Sequence, residues 1–204
     1  MMARTPKVVE DRREHILEVA LTVFSEKGFS RTTNNDIARA AGITPGLIYH
    51  YFENKDELLG AIVETRSPLG LMRSLPPERL DMPPELFLKF LLVQVLGIVE
   101  GETCVKLLRI LLPEALHNAA VIEPIRSQLL GQVVSFLRSY YTHQIELGNI
   151  CQTDPTFLAH LTFSCLVGFV TRRQIVGDPT VAQYSHEQLA TLITETIVNG
   201  IKPH

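Results

Sequence analysis

Residues 32–59 read Thr32-Thr33-Asn34-Asn35-Asp36-Ile37-Ala38-Arg39-Ala40-Ala41-Gly42-Ile43-Thr44-Pro45-Gly46-Leu47-Ile48-Tyr49-His50-Tyr51-Phe52-Glu53-Asn54-Lys55-Asp56-Glu57-Leu58-Leu59. The stretch is punctuated as three helices. Thr33 can accept backbone N–H bonds at the start of a helix over 34–41, and Gly42 stops it. Thr44-Pro45 supplies an N-cap followed by proline at the first helical position, opening a helix to about residue 52. Asn54, with Asp56 and Glu57 in the first turn, opens another near Lys55 that runs to about 66. Ala38, Gly42 and Ile48 provide a small contact residue, a turn glycine and a branched plug, with Ile37, Ala41 and Ile43 filling the inner face. Two short helices crossing steeply through a tight turn need that set, and helix-turn-helix geometry follows.

Upstream, Ile16, Ala20, Val23 and Phe24 form the apolar stripe of a helix over 10–27, ended by Gly28. Ahead of it, Arg4 and Lys7 sit on an N-terminal arm. On the third helix Tyr49, His50 and Tyr51 offer hydroxyl and imidazole donors suited to phosphate oxygens. Its start, Thr44-Pro45-Gly46-Leu47, is narrow enough to approach base edges. Charge adds little: residues 1–55 hold eight Lys+Arg against seven acids, a weak footprint for a nucleic-acid binder.

The run from Thr32 to Leu59, with Ile16-Leu17 to Phe24 and Lys27-Gly28-Phe29 before it, resembles the DNA-binding domain of the TetR family of bacterial transcriptional regulators. The resemblance covers roughly residues 10–62. It implies that Thr33 caps the second helix and touches a phosphate, and that Asn34 sits where a base is reached. It places Pro45, Gly46 and Leu47 at bases, and Tyr49, His50 and Lys55 at phosphates; Thr44 and Tyr51 complete the candidate DNA-binding set. Leu47 departs from the small polar residue common among relatives. It can pack on a thymine methyl but forms no hydrogen bond, so base readout should be thin. The resemblance further implies a homodimer on a palindromic double-stranded operator, released by a small effector.

The remainder reads as helical too, giving an all-α chain: a helix-turn-helix DNA-binding domain over 1–66, then an effector-binding and dimerisation domain over 67–204. Residues 67–84 hold five of the twelve prolines, which argues against helix there. Beyond them apolar periodicity predicts helices at about 84–99, 102–112, 120–147, 155–176 and 186–200. The segment from Leu86 to Val99 is apolar almost all round, as in a helix buried among helices. Residues 155–176 carry more apolar surface (Phe157, Leu158, Leu161, Cys165, Leu166, Phe169, Val170) than one helix needs for its own core, which suggests a dimer face. Gln94, Arg109 and His117 interrupt apolar runs. As buried polar groups they would need partners, and with Phe90, Phe136 and Tyr140 as flat walls they are the candidate effector-binding residues of a mainly apolar pocket.

Other function classes are disfavoured. Hydrophobic residues make up 46% of the 204-residue chain and charged residues 20%, enough to build a core. The formal net charge of -3 excludes a uniformly basic coat. Cys104, Cys151 and Cys165 are odd in number with no CxxC spacing, pointing to reduced thiols rather than a disulfide or zinc scaffold. Glu114-Ala115-Leu116-His117 has Glu-x-x-His spacing, but a di-iron bundle needs a second copy that the sequence lacks. No Gly-rich phosphate loop or G-x-S-x-G elbow appears. The expectation is a non-enzymatic protein with no metal and no cofactor. The first eighteen residues show no apolar signal core. The charge-free stretch Pro155–Thr171 falls short of the roughly 20 residues of a membrane span. A cytoplasmic protein without membrane association is expected.

Overall fold

A computed structural model of the chain describes residues 6–201. They form helices joined by short turns, with no strand among the described residues. The helices are α1 (Pro6–Lys27), α2 (Asn34–Ala41), α3 (Pro45–Tyr51), α4 (Lys55–Arg66), α5 (Leu69–Ser74), α6 (Pro84–Val99), α7 (Glu102–His117), α8 (Ala119–Ile125), α9 (Gly131–Glu146), α10 (Pro155–Thr171), α11 (Pro179–Ala182) and α12 (His186–Asn199). Two compact units result, one of residues up to Arg66 together with 102–126, the other of 67–101 with 127 onward.

In the first unit α1 packs against α2, α4 and α7, α2 against α3, and α4 against α7 and α8. Ile16, Leu17, Ala20 and Phe24 line the buried side of α1, and Ile37, Ala38, Ile48, Phe52, Leu58, Leu59, Ile62 and Val63 are buried with them. Leu107 and Ile110 of α7 are buried as well. The cut expected at 66/67 coincides with the end of α4, but residues 102–126 return to the head because the apolar face of α7 packs on α1 and α4. The Cys104 thiol donates to the Arg66 carbonyl at 2.9 Å, and burial pushes its pKa up to about 11, the behaviour of a packing residue rather than a nucleophile.

In the second unit α6 lies against α12 and α9 against α10, with α10 also touching α6 and α12. Phe87 stacks on Tyr140 with ring centroids 4.1 Å apart. The buried Tyr141 hydroxyl meets Thr162 Oγ1 at 2.6 Å, and burial pushes its pKa up to about 12. Fully buried Gln144 donates to the Leu80 carbonyl at 2.7 Å and accepts from Asn149 at 2.8 Å, which satisfies a polar group that would otherwise destabilise the core.

Several expectations need correction. The first helix begins at Pro6, so Lys7 falls in α1, with its side chain outside what is described; Arg4 lies outside the described residues. The proline-rich stretch is not free of helix. Its prolines are spaced so that α5 and a 3-10 turn at Pro77–Asp81 fit between them, and proline is tolerated at a first turn. The helix expected to stop at 112 continues through Pro113 to His117, for buried Ile110 and Glu114 anchor it on both sides of the lost hydrogen bond. The predicted 120–147 and 155–176 helices each contain a π segment, at Arg126–Leu130 and Arg172–Val176, which carries the chain onward with one wider turn. Leu86 and Ile98 are exposed, so α6 keeps a solvent strip and is not buried all round.

Gly42 ends α2 at φ 65° and ψ 31°, with its N–H donating to the Ala38 and Arg39 carbonyls. Because the left-handed region favours glycine, Gly42→Ala should lower stability by about 1 kcal/mol. Urea denaturation measures this as a lower midpoint at unchanged slope.

Candidate nucleic-acid interface

The site is assembled from two helix starts. Thr33 has extended backbone (φ -108°, ψ 158°) and caps α2. Its Oγ1 accepts from the Asp36 N–H at 3.2 Å, while its own N–H and hydroxyl donate to Asp36 Oδ2 at 2.9 and 2.7 Å. This reciprocal capping box fixes the first turn. The Lys27 ammonium, 2.7 Å from Asp36 Oδ1, and the Thr33 bonds hold the Asp36 carboxyl well below the usual carboxylate range. The Thr33 hydroxyl proton is thus already engaged within the chain.

Thr44 stands at the N-cap of α3 with Pro45 at the first helical position, as the sequence predicts, but its side chain makes no capping bond. The hydroxyl is left exposed beside the helix start. Pro45, Gly46, Tyr49 and His50 are exposed and spaced three and four residues apart, so they share one outward face. Tyr49 is 59% exposed. Beyond its chain neighbours and its own helix backbone, a Cβ on Gly46 would meet no atom within 4 Å, so nothing in the chain itself demands glycine there. Ile48 and Phe52 form the inward face, and the Arg13 guanidinium lies 5.2 Å over the Phe52 ring.

Other expected members sit differently. Asn34 is half-buried, and its Oδ1 is enclosed without a hydrogen-bond partner, so this acceptor faces the protein rather than solvent. Tyr51 is half-buried with its hydroxyl enclosed in the same way, its ring edge-on to His50 at 5.1 Å. Leu47 is half-buried and lines a cleft of about 290 Å³ with Arg12, His15, Ile16, Ile43 and Thr44. Arg12 and His15, which the sequence reading did not assign to the site, come from α1. His15 Nε2 is 3.2 Å from the Ala41 carbonyl. Only the packing of α1 in the head brings them beside Thr44 and Leu47, and no local motif signals it.

Lys55 has a structural engagement that the sequence did not suggest. Its ammonium donates to the Phe29 and Thr32 carbonyls at 2.7 and 2.9 Å and lies 4.4 Å from the Phe29 ring centroid. The turn between α1 and α2 is thereby tied to the first residue of α4. Two of the three ammonium protons are occupied inside the fold.

The effector candidates are divided between the units. Tyr140 is fully buried on Phe87, with its hydroxyl donating to the Met82 carbonyl at 3.1 Å. Burial pushes the Tyr140 pKa well above the ordinary phenol range. Phe136 is half-buried 6.3 Å from Phe87, and Phe90 is half-buried with the Arg79 guanidinium 4.9 Å over its ring. Gln94, Arg109 and His117 are exposed. The expectation that they are stranded buried polar groups is corrected: each falls on the outer strip of its helix and meets water.

Residues 16–62 match the family model described as bacterial regulatory proteins, tetR family. Over 97 residues the chain is 36% identical to the HTH-type transcriptional regulator AcrR of Shigella flexneri, covering 47% of this chain and 45% of that protein, so the match spans less than half of that relative's length. The solved structure of the SmeT–triclosan complex is similar at TM-score 0.76 and 25% identity, covering 94% of this chain and 91% of that one; SmeT is the repressor of a Stenotrophomonas maltophilia multidrug efflux pump. FadR from Bacillus subtilis in complex with stearoyl-CoA shares the fold at TM-score 0.74 and 21% identity, covering 92% and 98% of the two chains.

Replacing Lys55 by Met should lower stability by about 1–2 kcal/mol, because two carbonyls lose a charged donor. Thermal or urea unfolding in the absence of DNA reads the loss. A lysine that served only an external phosphate would leave stability unchanged.

Proposed function

Because this chain belongs to the TetR family of bacterial regulatory proteins, we propose that it is a ligand-responsive repressor that binds an imperfectly palindromic operator as a homodimer and leaves it when a small, mainly apolar effector binds. The observation that carries this reading is the outward face of α3, where Pro45, Gly46, Tyr49 and His50 stand exposed at helical spacing beside the unbonded Thr44 hydroxyl. A helix with a narrow start and donors along one side fits the major groove, its N-terminal residues towards bases and its flank towards phosphates. The cationic Arg12 lines the cleft beside Thr44 and Leu47. Leu47 gives at most contact with a thymine methyl, so one head reads few base pairs and specificity needs two heads on a two-fold axis.

The dimer is supported by the apolar side chains that α10 and α12 leave uncovered: Phe157 is 62% exposed and Leu192 49%, with Leu161 and Val167 also exposed. Effector binding and dimerisation fall within residues 67–204. The aromatic group of Phe87, Phe136 and Tyr140, with half-buried Phe90 on the same helix as Phe87, supports an apolar ligand, and triclosan and stearoyl-CoA, held by the structurally similar SmeT and FadR, both have large apolar parts. Release requires that the effector favour a head spacing that does not fit the operator, since equal affinity for both states shifts nothing. Among the described residues no helix is long and apolar enough to cross a membrane.

Fragments of the host genome retained at low salt should share a palindrome, and their retention should fall steeply as salt rises. Wild-type protein should sediment as a dimer at micromolar concentration. Phe157→Glu should remain helical, sediment as a monomer and bind the selected fragment at least about tenfold more weakly. Failure to retain any palindromic fragment, with or without candidate ligands, contradicts DNA regulation; a wild-type monomer contradicts the dimer alone.

A further inference from the structure

Glu114 is 7% exposed, an unusual position for a carboxylate on a helix that also has solvent-facing positions. Burying a charge is unfavourable unless hydrogen bonds replace its water. Here they come from Ser30, whose hydroxyl lies 2.9 Å from both carboxylate oxygens and whose N–H donates to Oε1 at 3.3 Å. The two residues are 84 positions apart and belong to the same compact unit. Glu114 follows Pro113, which has no N–H to return to the Arg109 carbonyl, so α7 lacks one backbone bond where the carboxylate leaves it. On the other side, Ser30 stands in the turn between α1 and α2. That turn is bonded at Gly28 by the Thr32 hydroxyl (2.7 Å) and at Phe29 and Thr32 by Lys55. Its next residue, Thr33, caps α2.

We propose that Glu114 is a positioning residue for DNA binding: through Ser30 its buried carboxylate holds the turn that presents Thr33 and α2, which makes α7 a working part of the DNA-binding unit. The inference rests on the reading of the head as a DNA-binding unit. In the Glu-x-x-His motif the two side chains part: His117 is exposed while Glu114 is buried against Ser30. Packing alone does not explain the residue. Leucine at this position would cover the same helix face without the penalty of a buried charge, and the bonds that offset the penalty all lead to the turn. Lys55 fixes the turn from the α4 side and Glu114 from the α7 side. Without Glu114 the Ser30 hydroxyl and N–H lose their fixed partner, and without Lys55 the Phe29 and Thr32 carbonyls lose theirs, which loosens the turn that leads into Thr33.

The test uses the full chain with Ser30→Ala, Glu114→Ala and the double variant, each at a temperature well below its unfolding midpoint. Amide hydrogen exchange without DNA should accelerate about tenfold at Thr32 and Asp36 in both single variants. The double variant should be no faster than the quicker single one, since the two side chains act as one unit. Affinity for a selected palindromic fragment should fall at least about fivefold in each, again without multiplying in the double variant, and Glu114→Gln should recover part of it. Ser30 is exposed, so Ser30→Ala keeps the test available if Glu114→Ala does not fold. Faster exchange confined to α7, with Thr32, Asp36 and DNA affinity unchanged, overturns the proposal. If exchange changes as expected but even the wild type retains no DNA, positioning for DNA binding is overturned along with the regulatory reading. If the wild type binds and the turn is indifferent to Ser30 and Glu114, only this inference fails.

Discussion

The ammonium of Lys55 between the carbonyls of Phe29 and Thr32 is the contact on which the geometry of the head depends. A tight turn between two helices leaves carbonyls pointing away from any helix, and each needs a donor. Lysine supplies two from one side chain, and its position at the first residue of α4 means that satisfying the turn also fixes where α4 begins. The end of α1, the cap of α2 and the start of α4 therefore cannot move independently. The Arg66–Glu14 ion pair and the buried Leu58, Leu59 and Ile62 continue the same attachment of α4 to α1 along the helix. What faces outward on α3 is consequently set by bonds that lie behind it.

Local signals in the sequence were sufficient for most of the head. Thr33 with Asp36 three residues on is a capping box whose partners are neighbours in the chain, and Gly42 and Pro45 announce backbone states that few other residues adopt. Long apolar periods likewise located α6, α10 and α12. What escaped depends on distant partners or on exposure. That Lys55 turns inward is decided by carbonyls 26 and 23 residues earlier, and that Glu114 is buried is decided by Ser30, 84 residues away. Leu107, Leu108 and Ile110 surround Arg109 in sequence, yet a helix turns 100° per residue and Arg109 lands on the wet side. Pro113 removes one backbone bond inside α7, but packing of buried Ile110 and Glu114 on both sides outweighs it.

The candidate site shows the same division. The exposed face of α3 was legible because spacing alone puts Pro45, Gly46, Tyr49 and His50 together. The inward turn of Asn34 Oδ1 and Tyr51 Oη, and the arrival of Arg12 and His15 from α1, were not, since they follow from how the helices of the head pack together. On the proposed reading of this face as the DNA contact, it offers few base-reading groups and several backbone-directed ones. Such a surface is better suited to paired use on a two-fold site than to reading a long sequence singly.

Gly46 allows the central claim to be tested without disturbing the fold. Beyond its chain neighbours and its own helix backbone, nothing lies within 4 Å of a Cβ at this position, so Gly46→Glu should leave the unfolding temperature within a degree or two of wild type. If the outward face of α3 meets DNA, the added bulk and negative charge at the helix start should weaken binding to a selected palindromic fragment more than about a hundredfold. Retention of that fragment at wild-type affinity by folded, dimeric Gly46→Glu protein would contradict the account.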